Sequence, residues 1–185
     1  MTGAGILLTG GASRRMTTDK AAIVWQGESL AVRAGRVLSA VCDPAIEVGS
    51  GASGLRCVRE DPPGSGPLAA LVAGARALET RGPVVLLACD LPFVEAPVLR
   101  LLADWAGRPT VIPVVDGRLQ YVCARYGADA LERAAAALLA GGRSLRDAAA
   151  GEHDELTEEH WSALGSTNPF ADVDTPADLR RLGLS

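Results

Sequence analysis

The five residues Val84-Val85-Leu86-Leu87-Ala88 restrict the architecture more than any other stretch of this chain. They follow a Gly82-Pro83 break and are uniformly apolar, without the in-and-out alternation of a strand wetted on one face. Such a strand needs cover on both sides. The cover available is helical, because segments with apolar residues at helical spacing alternate with short apolar runs for most of the 185 residues. That order predicts a three-layer α/β/α fold with a mainly parallel sheet, in a single domain spanning residues 1–185.

The remaining elements follow from local signals. Gly5 to Thr9 reads as a short buried strand ended by Gly10-Gly11, and Ala21 to Trp25 as a second extended piece. Ser29 is placed to cap a helix running from Leu30 to Val41, which Pro44 closes. Ala45 to Gly49 and Leu55 to Val58 are strand candidates. Pro62-Pro63-Gly64-Ser65-Gly66-Pro67 excludes regular structure, and the alanine- and leucine-rich run Leu68 to Leu78 is a helix with Pro67 at its first position. Glu95 to Trp105 is helical by pattern and Thr110 to Val115 extended, with Asp116-Gly117 suiting a hairpin turn into Leu119 to Tyr126. Ala128 to Leu139 is a helix ended by Gly141-Gly142, and Ser144 caps a short one reaching Ala150. Thr157 to Leu164 carries a capping-box pattern inside the otherwise unpatterned Gly151 to Thr167 segment, and Thr175 caps a last helix over Ala177 to Leu182.

Bulk properties remove several function classes. A net charge of −4 and an aromatic content of 4% argue against a general nucleic-acid binder and against a base-stacking platform. Cys42, Cys57, Cys89 and Cys123 are scattered, form no CxxC pair and lie in or beside apolar segments, so buried reduced thiols are expected rather than zinc ligands or disulfides. His153 and His160 have no Ser or Cys nearby in a nucleophile-elbow context, which disfavours a triad hydrolase. No apolar run reaches the roughly 18 residues of a membrane span, and a soluble, cytoplasmic protein is expected.

Three stretches of chemical character follow strands, where ligands of open α/β sheets bind. The first is the Gly10-Gly11 loop, which continues through Arg14-Arg15 to Lys20. Glycines there let backbone N–H groups approach an anion, with Arg15 and Lys20 adding full charges; the same residues also suit a solvated turn. The second is Asp61 with its Pro/Gly loop, a setting equally natural for a turn aspartate. The third is Asp90, a carboxylate at the end of the apolar strand. Magnesium, which takes one or two carboxylates plus substrate phosphates, is its natural partner, although a turn cap before Pro92 would also use an aspartate. There is no GxxxxGK[ST] and no GxGxxG, so neither a P-loop NTPase nor a dinucleotide-binding dehydrogenase is indicated.

The blocks Leu8-Thr9-Gly10-Gly11-x-x-Arg14-Arg15-Met16-x-x-Asp19-Lys20, Glu60-Asp61 with Gly64-x-Gly66-Pro67-Leu68, Cys89-Asp90-Leu91-Pro92 and Asp174-Thr175-Pro176-x-Asp178-Leu179 occur in one order. Together they resemble the molybdenum cofactor guanylyltransferase family, MobA-like nucleotidyltransferases with a glycosyltransferase-A-like, Rossmann-like fold. The resemblance implies magnesium-dependent transfer of GMP from GTP to the terminal phosphate of molybdopterin, with release of pyrophosphate and with manganese a possible substitute ion. It implies nucleotide contacts from Leu8, Thr9, Gly10, Gly11, Lys20, Asp61 and Asp90, metal binding by Asp90, and catalytic roles for Arg15, Lys20 and Asp90. Acceptor contacts are implied at Gln120, Arg143 and Arg146, the two arginines being equally natural as solvated helix-end residues. A molybdoenzyme or a cofactor-inserting chaperone is the implied protein partner.

The chain departs from the family pattern at several positions. Thr9 and Thr17 replace a usual Ala and Gly, Tyr121-Val122 follows Gln120 where Pro-Leu is usual, and Asp172 and Asp174 stand where two asparagines are expected. Those aspartates suit the N–H donors of a pterin, or a cation. The alternatives are CTP or a sugar-phosphate acceptor in the same chemistry, and a non-catalytic nucleotide- or cofactor-binding protein. Lys20 and Asp90 together argue against the last.

Overall fold

The computed structural model describes residues 3–10, 20–164, 168–173 and 178. Strand β1 (Ala4–Leu8) precedes a 3-10 turn over Lys20–Ala22 and a small hairpin of β2 (Val24–Trp25) and β3 (Glu28–Ser29). Then come α1 (Leu30–Ser39), β4 (Ala45–Val48), β5 (Arg56–Val58), α2 (Pro67–Ala77), β6 (Val84–Ala88), α3 (Ala96–Ala103) and β7 (Val111–Val115). The remainder is β8 (Arg118–Leu119), β9 (Cys123–Tyr126), α4 (Ala128–Leu139), α5 (Leu145–Ala149), β10 (Asp154–Leu156), α6 (Glu158–Trp161) and a 3-10 turn over Ser162–Leu164.

The sheet runs in the order β10-β7-β9-β6-β1-β4-β5, with β8 folded back on β7. β1 pairs in parallel with β4 and β6, β4 with β5, and β7 with β10. β9 is antiparallel to both neighbours, β6 and β7. The three-layer arrangement with a mainly parallel sheet is therefore present, interrupted by the reversed β9 and with β8 antiparallel at β7.

The uniformly apolar strand does what its composition demands. Val85 and Leu87 of β6 face one core with residues of α1 and α3, while Val84, Leu86 and Ala88 face a second with residues of α2, α4 and α5. On β1, Leu7 joins the first core and Ala4, Ile6 and Leu8 the second. α1 begins where Ser29 accepts a bond from the Val32 amide (3.3 Å), and it buries Leu30, Ala31, Ala34, Val37 and Leu38. It lies so close to β1 that a Cβ added at Gly5 would sit 3.0 Å from the Leu38 side chain. α2 starts with Pro67, whose fixed φ suits a first turn and whose missing N–H costs nothing there.

Three expectations change. Residues 21–25 are not one strand: the 3-10 turn and the β2–β3 hairpin divide them. The return from Asp116-Gly117 forms only β8, and β9 leaves it to enter the sheet between β6 and β7. β10 is a strand inside the segment that reads as unpatterned, and Thr157 opens α6 with the expected capping box, His160 being its third helical residue. The helix expected over residues 177–182 and its cap Thr175 lie outside the described residues. Among those described, no helix is long and apolar enough to cross a membrane.

The cysteines divide three to one. Cys42, Cys89 and Cys123 are buried, but Cys57 is exposed on the edge strand β5. Burial pushes the Cys42 thiol up to about 12, with the Asp104 charge adding to it, and burial alone does the same for Cys123. A water-soluble thiol reagent at about pH 8.5 is expected to modify Cys57 in the native protein and all four thiols after denaturation, as counted by absorbance and located by peptide mass.

Candidate active site at the carboxyl edge of the sheet

Parallel pairing brings the ends of β1, β4 and β6 level. Leu8 lies opposite Val48 on one side and Ala88 on the other. Backbone bonds carry this alignment past the strands: Thr9 N donates to Val48 O (3.1 Å), Cys89 N to Leu8 O (3.0 Å) and Ala88 N to Val122 O (2.9 Å). Leu8, Thr9 and Gly10 thus run along the rim beside Asp90. Gly11 and Arg15, also expected in the nucleotide loop, lie outside the described residues.

Asp90 and Lys20, 70 positions apart in sequence, meet at this rim. Lys20 Nζ lies 3.0 Å from Asp90 Oδ2, with the side chains 13% and 24% exposed. The Asp90 carbonyl accepts from Val173 N (3.0 Å), and Val173 is buried with Ile23 and Leu30. Lys20 and Val173 thereby both hold Asp90, one at its carboxylate and the other at its backbone carbonyl. Among the described residues, no group of three or more His, Cys, Asp or Glu side chains could hold a metal ion. A lone carboxylate such as Asp90 suits an ion held largely by substrate phosphates and water, the usual habit of magnesium.

Asp61 lies on the same edge, three residues beyond the end of β5, in a loop braced by Gly64 N to Glu60 Oε1 (2.9 Å). β1 and β4 separate β5 from β6, so at about 4.8 Å per strand the two aspartates stand on the order of 14 Å apart.

Gln120 reaches the rim because β9, which follows it, runs opposite to its neighbours and so begins at their carboxyl ends. Tyr121, where the family pattern has proline, carries the Arg146 guanidinium 5.9 Å from its ring centre. Arg143 O lies close to Gly66, 3.6 Å from where a Cβ would stand, which sets the start of α5 beside the start of α2. Gln120, Arg143 and Arg146 thus collect on the β9 and α2 side. Asp172 adjoins the Val173 amide that bonds Asp90, while Asp174 lies outside the described residues.

Comparison with known proteins decides the family. The model of the MobA-like NTP transferase domain matches residues 5–156. The chain belongs to the MobA-like NTP transferase family. It is 32% identical to a probable molybdenum cofactor guanylyltransferase of Chloroflexus aggregans, over 95% of this chain and 91% of that one. A protein of the same name from Mycobacterium avium is also 32% identical, with 97% and 94% covered. The molybdopterin-guanine dinucleotide biosynthesis protein A of Archaeoglobus fulgidus shares the fold at a TM-score of 0.80 and 23% identity, covering 96% of this chain and 95% of that one. As a MobA-like transferase, this chain is a nucleotidyltransferase.

One residue of this MobA-like site was not anticipated. Glu47, in the middle of β4, has 0% exposure, and strand alternation puts it on the same face as Thr9. Its carboxylate accepts from the Thr9 hydroxyl, from Gly51 N (2.5 Å), Ala52 N (3.0 Å) and Ser53 N (2.9 Å), and from Ser53 Oγ (2.5 Å). Burial alone would raise its pKa, but the bonds from Ser53, Thr9 and Gly51 outweigh burial and hold it below the ordinary 4.5. Because the folded value is depressed, this stabilisation is complete above the ordinary value and is lost as pH falls through the folded one. Glu47→Gln is expected to cost roughly 1–3 kcal/mol at neutral pH. In denaturant titrations that deficit should hold constant above about pH 5.5 and shrink toward acid; a deficit independent of pH would contradict the assignment.

Proposed function

We propose that the protein is a magnesium-dependent guanylyltransferase that moves GMP from GTP to the terminal phosphate of molybdopterin and releases pyrophosphate. The observation that carries this reading is the 3.0 Å Lys20–Asp90 pair at the rim, beside Leu8, Thr9 and Gly10, in a chain of the MobA-like family. The names carried by the relatives supply the guanine and molybdenum-cofactor part of the reading. Residues 1–185 act in it as one domain.

In the reaction, an oxygen of the acceptor phosphate attacks the α-phosphorus of GTP. The new P–O bond forms as the bond from the α-phosphorus to the bridging oxygen breaks, and pyrophosphate leaves with that electron pair. The nucleophile is already ionised, so no protein base is required. The barrier is the approach of one anion to another and the charge accumulating on the leaving group, which fixed cations lower. Lys20 stands where it can exchange Asp90 for a phosphate oxygen, and Arg15 adds charge from the same loop. Magnesium, or manganese in its place, would be held by Asp90 and would supply charge neutralisation across the phosphates. Backbone groups of Leu8, Thr9 and Gly10 hold the nucleotide along the rim with Gly11, and Asp61 holds its guanosine end. Gln120, Arg143 and Arg146 hold the acceptor from the β9 side and Asp172 from the Asp90 side, with Asp174 a further acceptor contact. The product passes to a molybdoenzyme or a cofactor-inserting chaperone.

The test is pyrophosphate release from magnesium, molybdopterin and each of the four ribonucleoside triphosphates in turn. Release with GTP is expected. Release with CTP alone would reassign the donor, and release with none would favour a binding protein. Asp90→Ala should lower kcat by at least about 10²-fold with the circular dichroism spectrum unchanged; persistent turnover would remove Asp90 from its metal role.

A further inference from the structure

We propose that Glu47 is a positioning residue for the nucleotide, acting through the Thr9 hydroxyl to fix the start of the phosphate loop; the inference rests on the transferase reading of the site. Thr9 Oγ1 donates to Glu47 and accepts from Ser50 N (2.9 Å). The hydroxyl is thus a bridge between the first residue past β1 and the turn past β4, and with Thr9 only 5% exposed it faces inward. Any contact of Thr9 with nucleotide falls to its backbone, whose place the bridge determines.

A close backbone approach continues the coupling. Gly49 has φ +144°, and a Cβ there would lie 2.4 Å from Gly10 N and 2.5 Å from Thr9 Oγ1. The turn after β4 is therefore pressed against the first glycine of the phosphate loop. Residues 51–53 wrap the Glu47 carboxylate with three backbone amides and one hydroxyl. β4 lies between β1 and β5, so this turn also borders the path a nucleotide takes from Asp90 to Asp61.

Stability alone does not account for this network. A buried carboxylate must recover a large desolvation cost, and well-packed apolar replacements of buried charges are often neutral or better. What the charge supplies is direction: one acceptor group with five donors holds two loops in a single relative arrangement. Thr9 thereby finds a role that a methyl side chain at this position could not fill.

Steady-state kinetics with the wild type, Thr9→Ser, Thr9→Val, Glu47→Gln and the Thr9→Val/Glu47→Gln double variant test the proposal, with melting temperatures recorded alongside. Thr9→Val keeps the shape and removes the bridge, so its nucleotide KM should rise by up to about tenfold with kcat within about threefold. Thr9→Ser should restore KM to within about twofold. The double variant should be hardly worse than the worse single one, because both break the same bridge. A Thr9→Val protein that melts lower but keeps the wild-type KM overturns the positioning role and leaves the transferase reading intact. A wild type that turns over no nucleotide overturns both. Thr9→Val against Thr9→Ser decides the matter even if Glu47→Gln folds poorly.

Discussion

The parallel, in-register seating of β1 between β4 and β6 is the constraint on which the rest of the molecule depends. Register sets Leu8 level with Val48 and Ala88, and every group of the proposed site is then placed by how far its loop runs past that line. Thr9 comes one residue beyond on β1, and Asp90 two beyond on β6. A slip of one residue in β1 would turn Leu7 out of the first core and Leu8 out of the second, so packing on both faces enforces the alignment that chemistry uses. Apolar cover on two sides and a functional rim are consequences of the same pairing.

Charge at the rim is arranged to be partnered before any substrate arrives. Lys20 neutralises Asp90, and Val173 N occupies the carbonyl of the same residue. The Glu47 carboxylate, by contrast, is closed off, with its donors all supplied by the turn it organises and by Thr9. Two carboxylates on the strands that flank β1, or just past them, are therefore arranged oppositely: Asp90 is partly exposed and paired with Lys20, and Glu47 is buried and saturated.

Much of the fold was legible in the sequence, and the reasons are local. β6 was readable because five apolar residues in succession admit few alternatives, and α1 and α2 because Ser29 and Pro67 mark their starts. β10 was not, because Asp154 and Glu155 look like loop residues; Asp154 is instead tied to Trp105 Nε1 (2.8 Å) and Arg108 N (2.7 Å). β9 lies within the extended run read over Leu119 to Tyr126, but its place in the sheet was not legible. Its Arg125 is buried and donates to the carbonyls of Ala103, Arg108 and Pro109, and its reversed place in the sheet depends on pairings distant in sequence. The rim positions of Asp61 and Asp90 and the rim location of Lys20 followed from strand ends and motif spacing. Glu47 was missed although a signal existed: a lone carboxylate inside an apolar strand, followed by Gly49-Ser50-Gly51-Ala52-Ser53, a turn of small residues rich in donors.

The central claim is that Asp90 and Lys20 form a site for a cation carried on a triphosphate. Electron paramagnetic resonance of manganese in the presence and absence of GTP tests it most directly. Tight binding of the ion only when GTP is present, lost in Asp90→Asn and weakened in Lys20→Met, is the predicted result. Manganese binding that is tight without nucleotide, or unchanged in Asp90→Asn, would contradict it.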